Sequence, residues 1–93
     1  MASMAERREA RPVVAEYHQA QLAVLVGRVA EATDRYRAGE LDPFDVDRVL
    51  FQYSRAAKEL WTFCNYHPIE SAASTIREQP PDDWWERGAP RER

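Results

Sequence analysis

Three residues of this chain could ligate a soft metal or supply a nucleophile: His18, Cys64 and His67. Cys64 and His67 stand in a Cys-x-x-His spacing, one helical turn apart. Zinc accepts such a mixture of thiolate and imidazole in tetrahedral geometry, and Glu16 or Glu70 would supply a fourth ligand. Strong zinc motifs repeat the Cys-x-x-Cys or His-x-x-His pair, whereas one mixed pair here joins one distant histidine. The same residues have a structural reading. Cys64 is then a small buried apolar residue, His18 a polar rung near a bundle end, and His67 part of a helix terminus. A Cys-His nucleophile would also need a thiolate-stabilising setting, an oxyanion site and a cleft, and the sequence names none of these. Paired core carboxylates, the Glu-x-x-His of di-iron bundles, a phosphate-cradling glycine loop and a serine elbow are all missing from the sequence. The expectation is a non-enzymatic chain without a cofactor, with a small zinc protein as the alternative.

A second set of residues points to binding. Pro80-Pro81-Asp82-Asp83-Trp84-Trp85 places two tryptophans in an acidic, proline-bounded segment. Such a segment either offers aromatic anchors to a partner's pocket or clamps the chain's own core. Phe44 and Phe51 are seven residues apart and share a helix face, with Trp61 and Phe63 on the two flanks of the neighbouring stripe. Tyr17, Tyr36, Tyr53 and Tyr66, at helical spacing, suit a core edge with their hydroxyls reaching water or a carbonyl.

The elements that must carry these residues are helices. Ala15, His18, Leu22, Leu25, Val29, Ala32 and Tyr36 repeat with helical period, which predicts a first helix from about Pro12 to Ala38. Gly39 stops it, because glycine takes the left-handed conformation without a Cβ clash. Asp42 as cap, Pro43 at the first helical position, and Asp45 and Asp47 at the positive dipole end predict a second helix there. Pro68 ends it near Tyr66. Val46, Leu50, Tyr53, Ala57, Leu60 and Cys64 form its stripe. An antiparallel hairpin then pairs Tyr36 with Val46, Ala32 with Leu50, Val29 with Tyr53, Leu25 with Ala57, Leu22 with Leu60 and His18 with Cys64. Residues 69–79 predict a short third helix, and Asp82 caps one further turn. The fold class expected is all-α: a flexible arm over 1–11, a hairpin domain with short third helix over 12–79, and an aromatic tail over 80–93.

Composition limits the partners. The net charge is −3, and the basic residues of the termini are mixed with glutamates. That balance argues against a generic nucleic-acid or acidic-membrane binder. No apolar run approaches the roughly 20 residues of a membrane span. A single cysteine excludes an intrachain disulfide, and the charged, apolar-poor start lacks a signal-peptide pattern, so a cytoplasmic setting is expected. Lys58 is the only lysine beside many arginines, a bias typical of GC-rich bacterial coding. Two helices bury too little to be stable alone, so the outer aromatics need cover. The cover is the tail, a second copy, or another protein. The functional expectation is an interaction or regulatory module, homodimeric, acting through Phe44, Phe51 and Trp61 with Trp84 and Trp85.

Overall fold

The computed structural model describes residues 3–91, and they form four helices without a strand. Helix α1 runs Met4–Arg37, α2 Pro43–Tyr66, α3 Ile69–Glu78 and α4 Trp84–Arg87. The chain is all-α, and α1 and α2 make the antiparallel hairpin expected from their stripes.

The corner between them is built from local chemistry. Gly39 adopts φ +79°, its N–H donates to the Tyr36 carbonyl, and the Glu40 N–H donates to Arg35 at 2.9 Å. These two bonds close the end of α1 as a Schellman motif, which only a residue free of Cβ adopts without strain. Three residues later a capping box opens α2. The Asp42 carboxylate accepts from the Asp45 N–H at 2.8 Å, and the Asp45 carboxylate accepts from the Asp42 N–H at 2.9 Å. That backbone donor, with Arg48 at 2.6 Å, holds the Asp45 carboxyl below its ordinary range.

Two boundaries differ from the sequence expectation. Helix α1 begins at Met4 rather than Pro12, so residues 4–11 are helix and not an arm; Met1 and Ala2 lie outside the described residues. Ser3 caps it by accepting from the Glu6 N–H at 3.1 Å. Pro12 inside a helix removes one hydrogen bond. Its position is exposed, so water reaches the orphaned carbonyl of the previous turn. What holds this first stretch is tertiary. Ala10 and Val14 are buried in one cluster with Ala72 and Ala73 of α3, which packs on α1. Small residues on both helices let the backbones approach closely. The second difference is at α4, where Asp83 and not Asp82 is the cap. Asp83 sits in the left-handed region at φ 53° and accepts from the Glu86 N–H, a conformation aspartate tolerates better than most residues.

The tail is a strap across the hairpin. Trp84 is 4% exposed and lies beside Phe63 at 5.6 Å between ring centroids. Its Nε1–H donates to the Tyr17 hydroxyl at 2.7 Å, and that hydroxyl donates to the Pro81 carbonyl at 2.6 Å. Further along, Gln52 donates to the Trp85 carbonyl at 2.9 Å and Arg55 to the Gly88 carbonyl at 2.6 Å. Arg87 stacks on Trp84, its guanidinium 4.7 Å from the ring centroid. Gly88 rests on α2 itself: a Cβ there would lie 2.5 Å from the Ala56 nitrogen and 2.6 Å from the Gln52 carbonyl. The contacting atoms are backbone and cannot move aside.

Gly88→Ala therefore lifts the strap. Overpacking of this kind costs about 1–3 kcal/mol. Urea unfolding followed by circular dichroism should show that loss, with tryptophan emission shifted to the red as Trp84 meets water. An unchanged midpoint and emission maximum would disprove the close seat on Ala56.

Candidate interaction surface

The line of greatest burial runs through Ala10, Val14, Leu25 and Ala32 on α1 and Ala56, Leu60 and Cys64 on α2. It is rotated from the expected rungs toward the side that carries α3 and the strap. Ala15 is exposed, and Tyr36 and Leu50 are each about half-exposed. Leu22, Val29, Val46, Tyr53 and Ala57 are partly buried. The cause is the cover on that side: α3 packs its alanines against Ala10 and Val14 of α1, and Gly88 seats the strap on Ala56, one residue short of the expected rung Ala57.

Rotation leaves the opposite flank uncovered. On α1 the residues Ala15, Gln19, Leu22, Val26, Val29, Thr33 and Tyr36 alternate four and three apart, a heptad line. On α2, Pro43, Asp47, Leu50, Ser54, Ala57 and Trp61 do the same. The two lines meet at the turn end, where Tyr36, Pro43, Val46, Asp47 and Leu50 line an apolar hollow of about 190 Å³. Val26 is 50% exposed, Leu50 46% and Trp61 52%. The other side of the hairpin holds Arg28 over the Trp85 ring at 5.6 Å, beside Glu31 and Arg35. Charge is distributed accordingly. The α1 line carries no charged side chain, and the α2 line carries Asp47 alone, at the turn end.

The partner residues expected from sequence separate into three groups. Trp84 is core, and Trp85 is half-buried under Arg28, so both clamp the hairpin instead of reaching outward. Phe44 and Phe51 are exposed at 73% and 58%. Phe51 lies nine residues from the buried Leu60, about two and a half helical turns, on the outer side of α2. Trp61 stands elsewhere, at the end of the bare flank, edge-on to Tyr66 at 6.1 Å. The single face expected around Phe44, Phe51 and Trp61 is thus divided: two phenylalanines point outward and the tryptophan joins the flank. Tyr36 and Leu50 are residues that the stripe reading assigned to the interior, and each is half-exposed beside Val26. The four-three lines were the available signal, since each helix carries one beside its buried stripe.

The metal trio is not assembled. Among the described residues, no three His, Cys, Asp or Glu side chains group to hold a cation. Cys64 is a free, buried thiol in the apolar cluster with Val14 and Leu60, and burial pushes its pKa up from 9 to about 11. That setting disfavours the thiolate which zinc needs. His67 is exposed and extended, φ −86° and ψ 155°, because the following Pro68 excludes helical geometry. Its ring rests edge-on to Phe63 at 6.1 Å. His18 is half-buried on α1. Burial also raises the Tyr17 hydroxyl above its ordinary 10.

The Cys64 shift sets a pH dependence. The folded pKa lies above the unfolded one, so the native state holds the proton more tightly. The stabilisation is complete below pH 9 and is lost as pH rises from 9 to about 11. Urea midpoints of wild type should fall across this window, and Cys64→Ala should fall less steeply. Equal slopes would show that the thiol is not held neutral by burial.

No helix among the described residues is long and apolar enough to cross a membrane. Compared with protein-family models, curated proteins and solved structures, the chain matches none.

Proposed function

We propose that this chain is a non-enzymatic protein-interaction module that docks a helical partner on the bare flank of its hairpin. The observation that carries this reading is the one-sided cover. Helix α3 and the strap bury one side, while the other keeps Leu22, Val26, Val29, Tyr36, Leu50 and Trp61 in a partly exposed band whose one charge is Asp47 at the turn end. Scattered apolar residues on a surface need no explanation, but a contiguous band along two helices marks a contact site. Heptad spacing suits another helical surface, whose side chains enter the gaps between these residues as knobs. A second copy of the chain supplies such a surface. A reducing, cytoplasmic setting accords with the single buried thiol.

The reading assigns roles. Val26, Leu50 and Trp61 make contact, Tyr36 and Val46 form the hollow at the turn end, and the strap fixes the angle between the helices. Trp84 is a positioning residue. Photo-crosslinking in cells tests this directly. A photoreactive amino acid at position 26 or 50 should give a discrete cross-linked protein species, and the same group at Asp34, off the heptad line, should give none. Equal labelling at all three positions, or none at 26 and 50, defeats the proposal.

A further inference from the structure

Resting on that reading, we propose that the occupant of the flank is a second copy of this chain, the two hairpins packing face to face as a four-helix bundle with the turn end of one over the open end of the other. Three features support it. The first is size. The α1 line from Ala15 to Tyr36 is about 32 Å long at 1.5 Å per residue. Two helices side by side are about 20 Å wide, giving a footprint of roughly 600 Å² per protomer. Stable complexes bury about 800 Å² per partner. The flank is therefore at the low end of specific interfaces and suits a weak dimer that dissociates on dilution.

The second feature is thickness. The backbone spans 54 × 30 × 18 Å, a slab with its long axis far greater than its thickness. Among the described residues, the hairpin has one partial layer, α3 and the strap, on one side and no element on the other. A second hairpin supplies the missing layer in the manner of a helical bundle.

The third is charge. A two-fold interface is self-complementary, with each residue meeting the copy of another, so a patch of one sign repels itself. Here the α1 line carries no charged side chain, and a foreign acidic or basic partner would find no complementary charge along it. Asp47 is the α2 line's one charge, and Arg37 ends α1 close by at the turn. A parallel arrangement would bring the two Asp47 carboxylates together. The turn-over-open-end arrangement lays α2 on the other copy's α2, separates the two carboxylates by about 20 Å and sets each near the uncharged Trp61 of the other copy. Phe44 and Phe51, on the outer side of α2, remain outside the interface.

Light scattering coupled to size exclusion, over a dilution series of the full chain, tests the proposal. Wild type should elute near twice 10.8 kDa at high concentration and fall toward 10.8 kDa on dilution. Val26→Glu and Leu50→Glu should each raise the dissociation constant at least tenfold with the helical spectrum unchanged. Both sites are half-exposed in the monomer, so they accept a carboxylate without unfolding it. Phe51→Asp should leave the dimer intact. Ser54→Cys, in a Cys64→Ala background, should form a disulfide-linked dimer on oxidation. A wild-type monomer at every concentration up to about 1 mM overturns the proposal, as does dissociation caused by Phe51→Asp but not by Leu50→Glu. In either case, cross-links from position 26 to a different protein would leave the docking reading standing while removing the second copy. An absence of both dimer and cross-links would remove both.

Discussion

The seat of Gly88 on Ala56 is the contact on which the rest of this fold depends. It brings a backbone carbonyl within reach of Arg55 and sets the four-residue α4 along α2. From there the chain can deliver Trp84 to the gap beside Phe63 and Tyr17. A tryptophan is the largest apolar group available, and burying it requires a partner for its N–H. Tyr17 accepts it and donates its own O–H to the Pro81 carbonyl, so the polar atoms inside the strap are satisfied in sequence. No buried side-chain nitrogen or oxygen among the described residues lacks a partner. A two-helix hairpin of this size lacks the apolar area to fix its own angle. The strap gives it a third surface to close against.

The same contact makes the molecule asymmetric. By occupying the groove at Ala56, the strap rotates the interior toward itself and exposes the residues that a symmetric hairpin would have buried at its midline. Leu50 is the clearest case. It sits one turn from Tyr53 and was expected to face Ala32, but Ala32 is buried and Leu50 is half in water. Charges follow the division: Arg28, Glu31 and Arg35 line the strapped side near Trp85, while the lines of the bare side carry Asp47 alone, at the turn end. A surface needed only for solubility would carry charge on both sides. On the proposed reading, the bare side is the one that a partner covers.

Much of the fold was legible because its determinants are local. The stop at Gly39, the Asp42 and Pro43 start and the break at Pro68 each depend on a few adjacent residues, and each stands where the sequence put it. The N-terminal extension of α1 was not legible. Glu6 to Arg11 read as too polar to order, and their helix depends on Ala10 and Val14 meeting alanines sixty residues away. Small residues give little pattern signal, yet they permit the closest approach of backbones. The left-handed Asp83 and the Gly88 seat were hidden for a related reason, since both are dictated by where the strap lands. For the candidate surface, the stripes were correct in period and misjudged in phase. Period is a property of one helix, and phase is decided by whatever covers it.

The same logic accounts for the ligand-type residues at the open end. Cys64, His67 and His18 share one end of the hairpin because that end is where helices stop and polar groups accumulate. Composition placed them in one neighbourhood, but a metal site also needs convergence. Convergence fails through two ordinary causes. Pro68 turns the backbone of His67 outward, and the core takes the Cys64 thiol as an apolar group, with its pKa pushed up to about 11. A thiol held neutral in this way gains stability from staying dry, and recruiting it to a cation would remove it from the cluster with Val14 and Leu60 that anchors the first turns of α1. The residues with the richest chemistry in this chain thus serve its packing. The residues with the plainest chemistry, Val26, Leu50 and their neighbours, are the ones left facing outward.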